Sequence, residues 1–471
     1  MAKTLFEKIW DTHCIEALDA TADLILIDRV FLHERTGSAA LRSLRQAGRA
    51  VVAPRQAFCT MDHVVDTFPG RTDKTTMPTG SAFITATREA AREAGLTLFD
   101  LGDERQGIVH VISPEQGIVL PGATVVCPDS HTGTQGAFGA LAWGIGSTEA
   151  EHALATSTLR VTRPKTMRVT VSGRLANGVS AKDLALHILA RLSAFGARGH
   201  ALEYAGAAVS ALPLEGRLTL CNMATELSAF TALIAPDARV IDYLKGRPFA
   251  PKGATWDAAV DHWTALRTDD GAVFDAEYAF AAEAVTPMVT WGVNPQQGVG
   301  IDGHVPSFEA VAGRDTREAY DRALAYMDLQ PGAAMNELPI DAAFIGSCTN
   351  SRLDDLRLAA EVLRGRKVAA GIKAICVPGS TAVKRQAEAE GLDEMFKAAG
   401  FEWRESGCSM CFFAGGESFA PRARVVSTTN RNFESRQGPE TRTHLASPAT
   451  VAASAVAGRL ADPRRLLPFE A

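Results

Sequence analysis

Short apolar runs that break off in polar or glycine-bearing turns, each followed by a helical pattern, recur along the chain and restrict what it can fold into. Residues 22–31 read as a buried strand entering a helix from about Ser38 to Ala47, and 49–53 read as the next strand. A helical pattern covers 79–94, and strands are predicted over 123–127 and 166–172. Further on come a strand at 342–346, a helix at 352–364, a strand at 374–377, a helix at 381–390, a strand at 425–428 and a terminal helix from Pro448. Ser351 is placed to cap the 352–364 helix, whose Leu353, Leu356, Ala360 and Leu363 share one face. Such alternation predicts an α/β architecture of largely parallel sheets with flanking helices. The Arg163-Pro164 break suggests a boundary, giving three α/β domains over 1–165, 166–285 and 286–471. Residues 246–304 are rich in Gly and Pro and are assigned no element.

The polar motifs share a position. Asp129, Cys348, Ser380 and Asn430 each stand just after a predicted strand, the end of an open α/β sheet where ligands bind. Gly133, Gly136, Gly139, Gly144 and Gly146 follow the first of these. They match neither the dinucleotide nor the P-loop fingerprint and read as allowing close packing beside a site.

Bulk properties exclude several classes. The 471 residues carry a formal charge of -6 (48 basic against 54 acidic), which argues against a nucleic-acid surface. The first residues contain no apolar signal region, and no apolar run is long enough for a membrane span. Eight cysteines are too few for a disulfide scaffold in a chain of this length, and a reducing cytoplasm is expected. Cys14, Cys59, Cys127, Cys221 and Cys376 read as buried small apolar residues.

Cys348, Cys408 and Cys411 are different. Three thiolates suit an iron–sulfur cube that normally takes four, leaving one iron open to a substrate hydroxyl. That points to lyase or hydratase chemistry. On spacing alone, Cys408 and Cys411 also suit a zinc knuckle, a redox dithiol or plain core thiols, although structural zinc commonly uses two close pairs and only one is present.

The words around these cysteines carry a resemblance. Gly346-Ser347-Cys348-Thr349-Asn350-Ser351, Gly407-Cys408-Ser409-Met410-Cys411 and Asn430-Arg431-Asn432-Phe433 with Arg436 resemble the aconitase superfamily. Thr60-Met61-Asp62-His63, Gly107-Ile108-Val109-His110, Asp129-Ser130-His131-Thr132 and Cys221-Asn222-Met223 with Glu226 agree with it. Within the superfamily, the sequence resembles the 3-isopropylmalate dehydratase large subunits. The resemblance implies a three-domain aconitase-like core that lacks a mobile fourth (swivel) domain. It also implies one [4Fe-4S] cluster per chain, held by Cys348, Cys408 and Cys411. The implied reaction is removal and re-addition of water on a hydroxy diacid: 2-isopropylmalate in leucine biosynthesis, or alternatively 2-methylmalate or homoaconitate. Asp62, His63, His110, Asp129, His131 and Glu226 would form the catalytic acid/base network. Ser130, Asn222, Asn430, Arg431 and Arg436 would bind substrate, the arginines by pairing with carboxylates. Asn222 and Glu226 would share one face if their segment is helical. No Gly-Ser-Ser-Arg-like loop is found, so a small subunit carrying the swivel domain is the expected partner. The chain departs from the family's usual pattern at Gln135, at Ser228 and Phe230, at 412–416 and at Ser435.

Overall fold

The computed structural model describes residues 2–313, 315–413 and 416–467. Residues 414–415, within one of the departures from the family pattern, and the C-terminal 468–471 lie outside the described residues. Five parallel strands organise the first part of the chain: β1 (Arg29–His33), β2 (Ala57–Thr60), β3 (Thr97–Phe99), β4 (Thr124–Cys127) and β5 (Leu141–Gly144), in the spatial order β3-β2-β1-β4-β5. A four-stranded sheet follows, made of β6 (Lys165–Ser172), β7 (His200–Ala205), β8 (Thr231–Leu233) and β9 (Ala276–Ala281) in the order β8-β7-β6-β9. The last sheet holds β10 (Ala342–Ile345), β11 (Lys373–Cys376), β12 (Phe401–Trp403), β13 (Arg424–Ser427) and β14 (Arg442–Leu445), all parallel, in the order β12-β11-β10-β13-β14.

The two five-stranded sheets have the same order. In each, connections run one way from the central strand and then reverse, so a switch point opens at the C-terminal ends of the central strand and its later neighbour. The backbone divides into two compact units: Met1–Val65, Thr79–Ser172 and Ala197–Phe280, and Asp66–Pro78, Gly173–Gly196 and Ala281–Ala471. The core of the first is built round Phe31, Phe58 and Phe99, with Val109 and Ile112 from the helix Val109–Glu115. In the second, Phe344, Ile375, Val377 and Val425 pack with Phe419 and with Met410, which lies between Cys408 and Cys411.

Most predicted elements lie where the pattern put them, and the exceptions have physical reasons. The run 22–31 is two strands in two sheets. Ala22–Leu26 pairs antiparallel with Cys14–Ala17 and Thr158–Thr162, while Arg29–His33 is the central β1. The break falls at Asp28, whose carboxylate accepts the Thr124 N–H at 2.9 Å. Residues 49–53 form no strand. Val52 is exposed, and Pro54, which has no N–H to give a ladder, opens a 3₁₀ turn before β2. Ser351 does not cap its helix: its hydroxyl donates to Ser347 O at 2.6 Å, and Asp355 accepts the Arg352 N–H at 3.0 Å instead. The unassigned 246–304 holds a helix, Ala254–Ala265, whose Trp256, Ala259, Val260 and Trp263 recur at helical spacing, although only Trp263 is buried. Cys14 is only half-buried, whereas Cys59, Cys127, Cys221 and Cys376 are fully buried. Among the described residues no helix is long and apolar enough to cross a membrane.

Candidate functional site

Chemistry-bearing residues gather at the C-terminal edge of each five-stranded sheet. In the first unit, β1 ends in His33-Glu34, β2 leads into Asp62-His63 and β4 into Asp129. These are the central strand and its two neighbours. Asp129 is the hub. His63 Nε2 lies 3.0 Å from its Oδ2, His110 Nε2 lies 2.8 Å from its Oδ1, and the His131 backbone N–H donates to Oδ1 at 2.7 Å. A charged carboxylate only accepts hydrogen bonds, so both imidazoles present N–H groups to it. On its other side His63 Nδ1 lies 2.6 Å from Asp62 Oδ1, and Asp62 Oδ2 accepts the Val109 N–H at 3.0 Å. Asp62 therefore orients His63 and also holds the first turn of the helix that carries His110.

His131 is braced by Glu226, with Nε2 2.9 Å from Oε1. Ser130 Oγ lies 3.3 Å from His131 Nδ1. Asn222 reaches the same place indirectly: its amide donates to Thr134 Oγ1 at 2.9 Å, and that hydroxyl donates to His131 O at 2.5 Å. The helix Leu214–Met223 ends before Glu226, which sits on a 3₁₀ turn, Ala224–Leu227, so Asn222 and Glu226 do not share an α-helical face. The glycines serve as expected. A Cβ on Gly136 would stand 1.6 Å from Ala232 O, and one on Gly144 would stand 2.5 Å from Asp129 O. Gln135 is buried and donates to Ser113 Oγ at 2.5 Å, while Phe230 stacks on Trp143 at 5.4 Å.

Burial works against charge on Asp129, yet His110 and then His63 hold its carboxyl well below the usual range. Asp62 is likewise lowered: burial opposes charge, and His63 outweighs it. Two residues here escaped the sequence reading. Burial, and then the charge on His63, pull His33 down to about 4, and its ring stacks on His63 at 4.0 Å. Glu34 is fully buried and accepts the N–H groups of Asp62 (3.0 Å), His63 (2.7 Å) and Val64 (2.6 Å). Their signal was positional: like Asp129 and Cys348 they stand at or just beyond the C-terminal end of a strand.

Glu34 yields a prediction. Burial first, then the Asp62 charge, push its carboxyl from 4.5 up to about 7. A raised carboxyl favours the protonated folded state, so its contribution to stability is full below about 4.5 and is lost as pH rises through about 7. In Glu34→Gln the amide NH₂ faces a backbone N–H, leaving a buried donor without an acceptor. Denaturant titration is expected to show a loss of about 1–3 kcal/mol, with a flatter pH dependence over that window. An unchanged slope would reject this role.

In the second unit, Cys348 follows the central strand β10 and Asn430 follows its neighbour β13. Cys408 and Cys411 bracket a short turn after β12, with the Cys411 N–H donating to Cys408 O at 2.9 Å. Asn430 Nδ2 donates to Cys348 Sγ at 3.4 Å, and Asn430 Oδ1 lies 3.8 Å from Cys411 Sγ. Ser347 Oγ donates to Cys411 Sγ at 3.2 Å and Arg436 Nη2 does so at 3.5 Å. The Arg436 guanidinium lies over Phe433 at 4.9 Å and Phe412 at 5.8 Å, and its Nε is buried without a partner. Arg431 is half-buried in the same loop. Ser380 caps the helix Thr381–Ala389 by accepting the Val383 N–H at 3.0 Å. Ser435 adopts φ 62, the left-handed conformation that favours glycine at this position.

The three cysteines fit a thiolate-ligated group. All are buried and free of disulfides, and amide, hydroxyl and guanidinium donors are aimed at two of their sulfurs. Such donors orient and tune a bound metal centre. Burial pushes the thiols of Cys59, Cys127, Cys221 and Cys376 up.

Comparison with known proteins agrees. The chain is 51% identical over 464 residues to the 3-isopropylmalate dehydratase large subunit 1 of Bradyrhizobium diazoefficiens, covering 98% of this chain and 97% of that protein. It is 50% identical over 469 residues to the 3-isopropylmalate dehydratase large subunit of Roseiflexus castenholzii, covering 99% of each. The family described as the aconitase family (aconitate hydratase) matches residues 7–458, and the chain belongs to that family.

Proposed function

We propose that the chain is the large subunit of a 3-isopropylmalate dehydratase, interconverting 2- and 3-isopropylmalate in leucine biosynthesis. The observation that carries this reading is a set of three buried thiols backed by Asn430 and Arg436, in a chain half-identical end to end to proteins of that name. Cys348, Cys408 and Cys411 would hold one [4Fe-4S] cluster. When bound, that group supplies a Lewis acid to the hydroxyl being lost.

The chain's own residues would deliver the leaving-group proton and bind the carboxylates. Asp129 keeps His63 and His110 pointed and protonated at Nε2, and Glu226 does the same for His131. A hydroxyl departs more easily as water, and imidazoles suit that proton delivery near neutral pH. Arg436, clamped between two rings, and Arg431 offer guanidinium groups to substrate carboxylates. Ser130, Asn222 and Asn430 supply neutral polar contacts. The carbon-bound proton needs a base that none of the matching motifs supplies. A small subunit carrying the swivel domain would bring it, as the relatives' designation "large subunit" suggests. We assign the complex to the cytoplasm and the three-domain partition 1–165, 166–285 and 286–471 to this chain.

The test is an assay of the anaerobically reconstituted two-subunit complex against 2-isopropylmalate, citramalate and homocitrate-type acids. Conversion of 2-isopropylmalate is expected. Turnover of another diacid alone would move the substrate, and turnover of none would overturn the reading.

A further inference from the structure

The loop bearing Cys408 and Cys411 is gripped by a segment more than three hundred positions earlier in the sequence. Glu417 is the centre of the grip. Its buried carboxylate accepts the Thr67 N–H at 2.5 Å, Thr67 Oγ1 at 2.8 Å, Ser409 Oγ at 2.6 Å and Arg404 Nη1 at 3.2 Å. Thr67 Oγ1 also lies 3.1 Å from Ser409 Oγ. Two backbone contacts extend the grip: the Glu405 N–H donates to Thr67 O at 2.7 Å, and the Arg71 guanidinium donates to Ser406 O. The Arg404 guanidinium covers the Phe68 ring at 4.2 Å. Thr67, Phe68 and Arg71 thus hold residues 404–409 along their length.

Ser409 shows what the grip is for. It lies between Cys408 and Cys411 and adopts φ 47, a left-handed conformation that a non-glycine residue seldom takes and that costs free energy unless its surroundings impose it. Glu417 and Thr67 meet its hydroxyl, while Met410 beside it is anchored in the core. Together they dictate the turn on which the two sulfurs stand.

We infer that Glu417 and Thr67 are positioning residues for the cluster: they hold the Cys408–Cys411 turn in its ligating shape before the cluster arrives and brace it against loss afterwards. This inference rests on the proposed [4Fe-4S] site.

Glu417→Gln replaces an acceptor oxygen with an NH₂ that faces donors. Thr67→Val removes only a hydroxyl and keeps the shape. Each variant of the full chain is reconstituted without oxygen, and iron and sulfide are measured. The visible absorbance of the cluster is then followed during a fixed exposure to air. Far-ultraviolet circular dichroism of the apo chains monitors the fold, and Thr67→Val keeps the test alive if Glu417→Gln fails to fold. Bleaching at least roughly tenfold faster is expected for Glu417→Gln, the ratio set by losing a hydrogen bond to a charged group, with a smaller acceleration for Thr67→Val and apo spectra like the parent's. Parental bleaching rates and iron content in the variants would overturn the inference while leaving the cluster assignment standing. Failure of the parent chain to take up iron and sulfide would overturn both.

Discussion

Cys411→Ser, prepared and reconstituted without oxygen, is expected to retain little iron and to lose at least roughly ten-thousand-fold in turnover. A serine hydroxyl is not deprotonated at neutral pH and offers hard oxygen where a soft thiolate is needed. Cys411 also has more around it than a bare ligand. Ser347 and Arg436 both direct donors at its sulfur, and Asn430 links it to Cys348. Those donors would face a weaker acceptor in the variant, so the loss extends beyond one coordination bond. Cys376→Ala is the matched control. Cys376 is fully buried and ends β11, but burial pushes its thiol up, as befits a packing residue. It is expected to keep parental iron content and turnover at a modest cost in thermal stability. Equal iron in Cys411→Ser and parent would defeat the assignment of this cysteine.

The strand-end rule explains what could be read without coordinates. A polar residue within three positions after an apolar run marks Asp129, Cys348 and Asn430, and the structure sets each of them at the C-terminal edge of a parallel sheet. The same rule covers His33 and Glu34, but in the sequence the run 22–31 reads as one strand. Once Asp28 is seen to break it, β1 ends at His33 and the two residues stand out. Other features had no local signal. Ser409 is ordinary in sequence, and only the fold shows its left-handed backbone and the carboxylate of Glu417 that meets it. The helix Ala254–Ala265 did have one, the apolar spacing of Trp256, Ala259, Val260 and Trp263, obscured by the glycines and prolines around it. Ser351 misses the cap because the helix begins at Leu353, one residue later than the pattern suggests, which makes Arg352 the N-cap and lets Asp355 accept its N–H.

Asp129→Asn is expected to lower kcat by roughly 10³–10⁴-fold while cluster content stays at the parental level. Asp129 receives imidazole N–H groups on both oxygens, from His110 on one and His63 on the other. An amide has one acceptor and one donor end, so it can satisfy only one of the two rings. The other must flip its tautomer or turn away, and either change moves its proton from the place where it is needed. His63 cannot adjust freely, because Asp62 fixes its opposite nitrogen at 2.6 Å. The His131 backbone N–H shares Oδ1 with His110, so the amide's acceptor end stays there and its NH₂ faces His63; Asp129→Asn combined with His63→Asn should cost little more than Asp129→Asn alone. The pH profile adds a discriminating readout. His110 and His63 hold the Asp129 carboxyl well below its usual range, although burial pushes the other way. It therefore stays charged throughout the neutral region, and neither limb of the parental profile is its own titration. The loss in Asp129→Asn is therefore expected across the whole neutral region and not on one limb alone. A variant within tenfold of parental kcat would mean that the histidines are held by something other than this carboxylate.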